Sequence, residues 1–158
     1  MPLMLELKYE YFPNTWPGRI KLGELVLGLL CMMCAAPAYY ATQHWFLLVV
    51  TFAFIGSLFF SVYYLCLAEP LNKLGVNWVM AEFWFTAGST FFYFTAFLAQ
   101  LVDFAGWEDE EFQYWIDAQI TAGVFGLMNT VLYGAGGYLI YVDWQRNPTG
   151  LAPTPTPA

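Results

Sequence analysis

Four long apolar stretches occupy most of this chain and restrict it to a small set of folds. They cover residues 22–40, 45–67, 78–102 and 118–141. At about 1.5 Å per residue, a helix of each length crosses roughly 30 Å of hydrocarbon. A backbone inside lipid has to satisfy its own hydrogen bonds, and a helix does so within one segment. The sequence therefore predicts an all-α integral membrane protein built as a four-helix bundle.

The five basic residues predict how that bundle is oriented. They precede the first stretch, separate the second from the third, or follow the fourth: Lys8, Arg19, Lys21, Lys73 and Arg146. The other two loops contain no Lys or Arg. Cytoplasmic loops of membrane proteins accumulate Lys and Arg. We therefore expect an M-shaped chain with both termini in the cytoplasm.

The domain organisation follows from these stretches. Residues 1–21 are expected to form a cytoplasmic N-terminal segment, and residues 22–142 a single membrane domain. Residues 143–158 form a Pro-rich cytoplasmic tail that we expect to be disordered. No small-residue cleavage site follows the first apolar run, so we expect the first helix to act as an uncleaved insertion signal.

The composition argues against several classes of protein. A net charge of −7 and the lack of a basic stripe make a nucleic-acid partner unexpected. His44 is the single histidine of the chain, so a histidine-rich metal site is not predicted. Neither a phosphate-binding loop nor a nucleophile elbow is present. We expect no enzyme, no catalytic residue, no metal and no cofactor.

The three cysteines all lie within the predicted spans. Cys31 and Cys34 have CxxC spacing, but a thiol oxidase of this size would need a second pair, and only Cys66 remains. Packing is the favoured role for the first two, with redox chemistry as the alternative. Cys66 lies near the cytoplasmic face and is a candidate for S-palmitoylation.

Two acidic residues fall inside the predicted membrane spans. Glu24 and Glu82 each lie about one turn from the cytoplasmic boundary, and a charge in that position is costly unless it has a role. Lys21 is three residues before Glu24 and can pair with it. Glu82 has no basic residue within its own helix, so either its partner comes from elsewhere or its carboxyl group is protonated. Hydrogen bonding between helices, contact with a partner protein, and ion or proton handling all remain open.

The fourth stretch contains a ladder of small residues at four-residue spacing. This small-xxx-small pattern allows helix backbones to approach closely. Its members are Ala118, Ala122, Gly126, Thr130 and Gly134. Asn129 lies beside the ladder and can hydrogen-bond across a helix interface. Packing within the bundle, self-association and docking on a larger membrane protein remain open for this face.

The run Pro17-Gly-Arg-Ile-Lys-Leu-Gly-Glu-Leu-Val-Leu-Gly-Leu29, together with the M-shaped topology, resembles the MARVEL-domain family. The resemblance covers roughly residues 15–145, and Glu24 matches a commonly acidic position at the start of the first helix. Short loops without outward cysteines make the chain most similar to the MAL/plasmolipin and chemokine-like-factor (CMTM) branch. The synaptophysins and occludin have larger outward loops.

The resemblance implies a non-enzymatic role at the plasma membrane or on secretory-pathway vesicles. The first hypothesis is a protein that organises membranes, vesicle trafficking or cell junctions through lateral packing of helices and lipids, including sterol-rich lipids. The alternative is an accessory subunit or chaperone bound stoichiometrically to a larger receptor, channel or junction protein. The expected partners are therefore membrane lipids and either another membrane protein or a second copy of this chain.

Overall fold

The computed structural model describes residues 16–64 and 73–146, and this part of the chain contains four helices and no strand. The helices are α1 (Trp16–Ala35), α2 (Ala41–Val62), α3 (Trp78–Phe104) and α4 (Gln113–Arg146). By length and composition, α2, α3 and α4 can each cross a membrane. The predicted all-α, four-helix fold is confirmed.

The four helices form a closed ring in which each packs against its neighbours in sequence, and α4 packs against α1. Successive helices run antiparallel. Residue 24 of α1 therefore lies beside residue 57 of α2, and residue 100 of α3 beside residue 119 of α4. The start of α1 and the end of α4 lie together at what we call the terminal end, and the opposite side is the loop end. This arrangement is the predicted M shape, while the cytoplasmic orientation of its ends stays a prediction.

The first helix begins and ends earlier than the predicted span 22–40. It runs from Trp16 to Ala35, and Pro37 follows two residues later. Proline has no N–H for the helix ladder and disfavours helical geometry in the residue before it, so the helix stops there. The helix therefore includes Lys21 and Glu24, which pair inside the bundle instead of marking its boundary with water.

The other helices also depart from their predicted limits of 45–67, 78–102 and 118–141. α2 begins at Ala41, α3 continues to Phe104, and α4 extends at both ends to cover Gln113–Arg146. Polar residues continue these helices past the apolar stretch, as in the hydrogen bond of 2.8 Å from Gln113 Nε2 to Asp117 Oδ1. Hydropathy marks only the apolar part of a helix. The residues 1–15, Cys66 and the tail from 147 lie outside the described residues.

Polarity is distributed in the opposite way to that of a water-soluble bundle. Lys21, Glu24 and Glu82 are buried between the helices. Large apolar side chains on all four helices point outward, including Val26, Leu48, Phe52, Trp84, Phe91 and Val131. A surface of this kind is stable against hydrocarbon, and it leaves buried hydrogen bonds and close packing to join the helices.

Candidate functional site

A buried ion-pair cluster at the terminal end joins α1 to α3. Lys21 Nζ lies 2.7 Å from Glu82 Oε1 and 3.9 Å from Glu24 Oε2. The three side chains are at most 6% exposed. The Tyr64 hydroxyl donates a hydrogen bond to the other Glu82 oxygen, and the Lys21 ammonium lies 5.8 Å from the centre of the Phe60 ring. The basic partner of Glu82, which α3 does not contain, is thus Lys21 of α1.

Glu24 extends the cluster to α2 and α4. Its Oε2 accepts a hydrogen bond of 2.9 Å from the Ser57 hydroxyl, which lies 2.7 Å from the hydroxyl of Tyr133. Tyr133 also donates to the backbone oxygen of Ala53 at 3.1 Å. Gly136 leaves room for the carboxylate, because a Cβ there would be 3.1 Å from Glu24 Oε1. Diagonally opposite helices are thus connected through the centre of the bundle.

Asn129 connects the same cluster to the middle of α3. Its Nδ2 donates to the backbone oxygen of Glu24 at 3.3 Å and to the Tyr93 hydroxyl at 2.9 Å. The rings of Tyr93 and Tyr133 stack with centroids 5.3 Å apart and an interplanar angle of 28°. Asn129 thus bonds from α4 to both α1 and α3. We call this whole set the four-helix network: Lys21, Glu24, Ser57, Tyr64, Glu82, Tyr93, Asn129 and Tyr133.

A second, uncharged polar layer lies at the loop end. Gln100 Nε2 donates to Gln119 Oε1 at 2.6 Å, and Gln119 Nε2 donates to the backbone oxygen of Ala35 at 3.1 Å. These bonds join α1, α3 and α4. On α2, the side-chain oxygen of Gln43 accepts from the backbone N–H groups of Tyr39 and Tyr40, at 2.6 and 3.0 Å, which fixes the loop after α1.

An apolar layer separates the two polar layers. Each helix contributes buried residues to it, with Cys31 on α1, Phe46 and Val50 on α2, Phe97 on α3 and Ala122 on α4. Within the described residues, the buried ion pairs and the buried hydrogen bonds between nitrogen and oxygen atoms of different helices therefore fall into two groups and not a continuous chain across the bundle. The arrangement is suited to holding helices in register. Charged groups buried in this way have to be paired, because a lone charge in lipid or protein interior is strongly unfavourable.

The small-residue ladder of α4 is divided between the interior and the surface. Ala122, Gly126 and Thr130 are buried, Ala118 is half-buried and Gly134 is exposed. A Cβ on Gly126 would lie 2.9 Å from a ring carbon of Phe46, so this glycine is required for internal packing. A Cβ on Gly134 would meet only a methyl of Thr90 at 3.9 Å. A role of α4 in binding a partner stays a prediction.

The cysteines show packing contacts. Cys31 is buried and its Sγ lies 3.8 Å from the backbone oxygen of Ala122, while Cys34 is half-buried; both are free thiols. The palmitoylation hypothesis for Cys66 concerns a residue outside the described ranges. Across residues 16–64 and 73–146, no group of three His, Cys, Asp or Glu side chains is placed to hold a metal.

Several residues of the four-helix network were not predicted from the sequence as members of a site. Tyr133 was not singled out, although it follows Asn129 by four residues and must share its face. Tyr93 lies within an aromatic run that gives no sign of which ring points inward. Ser57 carries no sequence signal of a site, yet its hydroxyl donates to Glu24.

The chain was compared with known families and proteins. The model of the MARVEL family, the membrane-associating domain, matches residues 12–139. Proteolipid protein 2 of Rattus norvegicus is 26% identical over 146 residues, covering 92% of this chain and 86% of the relative. The CKLF-like MARVEL transmembrane domain-containing protein 8 of Bos taurus is 24% identical over 137 residues, covering 85% and 77%.

Plasmolipin of Danio rerio is a third relative, 27% identical over 138 residues, which cover 85% of this chain and 75% of plasmolipin. No solved structure matches the chain. The family match covers most of the bundle, including all of α1, α2 and α3 and the part of α4 that carries Asn129, Tyr133 and Gly136. The chain therefore belongs to the MARVEL family of multi-pass membrane proteins.

Proposed function

We propose that this protein organises membranes, in vesicle trafficking or at cell junctions, by lateral contact with lipids and neighbouring proteins and without catalysis. The observation that carries the proposal is the distribution of polarity. The buried charged groups of the described residues lie inside the four-helix network, and large apolar side chains cover the outside of the bundle. A surface of this kind offers its contacts sideways, within the plane of the membrane.

The resemblance to proteolipid protein 2 and plasmolipin supports the same proposal, since both are membrane proteins of the same family. The basic residues flanking the helices favour cytoplasmic ends. We place the protein in the plasma membrane or in secretory-pathway vesicles. Sterol-rich membranes are the proposed environment, because exposed aromatic rings on α3, including Trp84, Phe91 and Phe94, present flat surfaces to lipid.

Reconstitution in phase-separating vesicles tests this proposal. Fluorescently labelled protein would be placed in vesicles of sphingomyelin, sterol and unsaturated phosphatidylcholine. We expect enrichment in one lipid phase and energy transfer between protomers that exceeds random mixing. Trp84→Leu should weaken both, whereas Trp16→Leu is the matched control, since the two tryptophans are 68% and 71% exposed and only Trp84 lies well inside a span. Even dispersion of the unmodified protein in every membrane would contradict the proposal.

An accessory subunit of a larger membrane protein is the second candidate, favoured by open glycines on the surface. Gly134 is exposed, and a Cβ on Gly88 of α3 would meet no atom within 4 Å. Such positions allow a helix of another protein to approach the backbone closely. Gly134→Leu should then reduce co-purification of the partner, while Ala81→Leu, also at an exposed small residue, should not. Retention of the partner by the Gly134 variant would count against this interface.

A further inference from the structure

A row of hydrogen-bonding oxygens that starts at Glu24 has more contacts than protons when this residue is ionised. Glu24 Oε2 lies 2.9 Å from Ser57 Oγ, which lies 2.7 Å from the Tyr133 hydroxyl. The same hydroxyl lies 3.1 Å from the backbone oxygen of Ala53. Each hydrogen bond needs one proton between its two oxygens, and the Ser57 and Tyr133 hydroxyls supply one proton each. We call these four residues the hydroxyl chain.

No orientation of the two hydroxyls satisfies all three contacts while Glu24 is ionised. If Ser57 donates to Glu24 and Tyr133 donates to Ala53, the two hydroxyl oxygens face each other at 2.7 Å without a proton between them. If Tyr133 donates to Ser57 instead, its oxygen faces the Ala53 oxygen at 3.1 Å without a proton. Ser57 and Tyr133 are 0% and 1% exposed, so bulk water does not reach these contacts.

A proton on Glu24 Oε2 completes the hydroxyl chain. The carboxyl group then donates to Ser57, Ser57 donates to Tyr133, and Tyr133 donates to the backbone oxygen of Ala53, so that each contact contains one proton. The oxygens keep their positions, because a hydroxyl proton changes its direction by rotation about the C–O bond. The same packing of helices therefore accommodates Glu24 with and without a proton.

The charges of the four-helix network favour Glu24 as the place for this proton. Lys21 is the single cation of the network and Glu24 and Glu82 are its two carboxyl groups. Both oxygens of Glu82 have donors, one from Lys21 at 2.7 Å and one from Tyr64. Glu24 is 3.9 Å from the same ammonium group, so the unbalanced negative charge falls on it. A proton on Glu24 makes the network neutral, and an uncompensated charge in the membrane interior is costly.

Titratable groups face Glu24 from three helices. Within the described residues they are Lys21 of α1, Glu82 and Tyr93 of α3, and Tyr133 of α4, while α2 presents the uncharged Ser57. Tyr93 stands beside the hydroxyl chain, where its hydroxyl accepts from Asn129 Nδ2 at 2.9 Å. Within the chain itself, Glu24 is the member that can gain a proton without becoming a cation.

We propose that Glu24 is a reversible proton-binding site, at which one proton on Oε2 reverses the donor direction of the hydroxyl chain. Hydronium gives up the proton and becomes water, and Oε2–H is the covalent bond that forms. Uptake neutralises the network and adds one hydrogen bond to the joint between α1, α2 and α4, and release reverses both changes. This site goes beyond the proposed function and needs only the intact bundle, so the two can fail separately.

Infrared spectroscopy detects the proton directly. The full chain would be reconstituted in phosphatidylcholine vesicles, and spectra recorded over the pH range in which circular dichroism shows the native helix content. A protonated carboxyl group has a C=O stretching band that a carboxylate lacks. We expect such a band to titrate in the unmodified protein and in the exposed control Glu110→Gln, and to be missing in Glu24→Gln. A band that persists in Glu24→Gln, or that never appears in the unmodified protein, would overturn the proposal.

A second variant keeps the carboxyl group and breaks the hydroxyl chain, which keeps the test decisive if Glu24→Gln does not fold. In Tyr133→Phe, Ser57 loses its neighbour at 2.7 Å, so proton uptake no longer adds a hydrogen bond. We expect proton binding about fivefold weaker, which converts to about 1 kcal/mol, the net value of one hydrogen bond. Tyr138→Phe, at a residue 67% exposed on the same helix, is the matched control and should titrate like the unmodified protein. The same titration in Tyr133→Phe would overturn the role of the chain.

Discussion

Replacing Glu82 by glutamine removes one charge from the ion-pair cluster while keeping the size of the side chain. In the native bundle, Glu82 Oε1 lies 2.7 Å from Lys21 Nζ, and the Tyr64 hydroxyl donates to its other oxygen. Breaking a buried pair by removing one partner costs about 3–5 kcal/mol, because the remaining charge is left unpaired. Glu24 Oε2 is still 3.9 Å from Lys21 Nζ. We therefore expect Glu82→Gln to lower the free energy of unfolding by about 3 kcal/mol, at the lower end of that range.

Lys21→Met should be more destabilising than Glu82→Gln, because it leaves two buried carboxylates without a cation. We expect it to lower the free energy of unfolding by about 5 kcal/mol. The double variant Lys21→Met/Glu82→Gln leaves one carboxylate, Glu24, which still accepts a hydrogen bond from Ser57. Its cost should therefore be no greater than that of Lys21→Met alone, which is about 3 kcal/mol short of the sum of the single costs and at the upper end of the range found for residues in one network.

The assay is reversible unfolding in mixed micelles, with helix content followed by circular dichroism as a denaturing detergent is titrated. For a chain of 158 residues, about 3 kcal/mol corresponds to a fall of roughly 6–12 °C in Tm, which a thermal scan would also detect. Arg19→Met is the matched control for Lys21→Met, because it also removes a positive charge from α1. Arg19 is exposed and its guanidinium lies 5.4 Å from the Trp16 ring, so the change should cost only about 0.5–1 kcal/mol. Costs of the two single changes that add fully in the double variant would refute the ion-pair account.

Three further outcomes follow from the same structure. Gly126→Leu should destabilise the bundle by about 1–3 kcal/mol through overpacking. Gly134 is exposed, so Gly134→Leu should change the free energy of unfolding by less than about 0.5 kcal/mol. Detergent titration of both variants checks this. Tyr133→Phe should cost about 1–3 kcal/mol in the same assay, because the buried Ser57 hydroxyl and the backbone oxygen of Ala53 each lose one hydrogen-bond partner. Glu110→Cys, in a background without native cysteines, should react with an impermeant maleimide on intact cells, while a tag after residue 158 stays inaccessible. Labelling of the tag and not of the cysteine would contradict the predicted cytoplasmic position of the termini.

The number and type of the helices could be predicted from the sequence because lipid imposes a minimum length of apolar chain on each crossing. The first and last residues of the helices could not be predicted in the same way. A basic residue such as Lys21 is expected at the boundary with water, although a charge can lie further inside when its partner is on another helix. Glu82 provides that partner from a position 61 residues away along the chain. Pro37, in contrast, is a local signal of where a helix cannot continue, although the predicted span 22–40 ran through it.

The composition of the site was harder to predict, since the interior and the lipid-facing surface of a membrane bundle are both apolar. Periodicity shows that Gly126, Thr130 and Gly134 lie near one face of α4, but it does not show which way that face turns. The structure buries the first two and exposes the third. The polar residues were the better guide. Glu24 and Glu82 were selected by the cost of a charge in the membrane and Asn129 by its position beside the ladder, and all three belong to the four-helix network. Tyr93 and Tyr133 look like other membrane aromatics until the position of Asn129 is known.

The most direct test of a lateral, non-catalytic role is the composition of the native particle. The protein would be extracted from its own membrane into nanodiscs without prior detergent, and the mass, protein content and lipid content of the particle measured. Lateral organisation predicts particles that contain several copies of this chain together with retained lipid. A particle with one copy and a stoichiometric larger protein would favour the accessory subunit, and a lone monomer without enriched lipid would contradict the account.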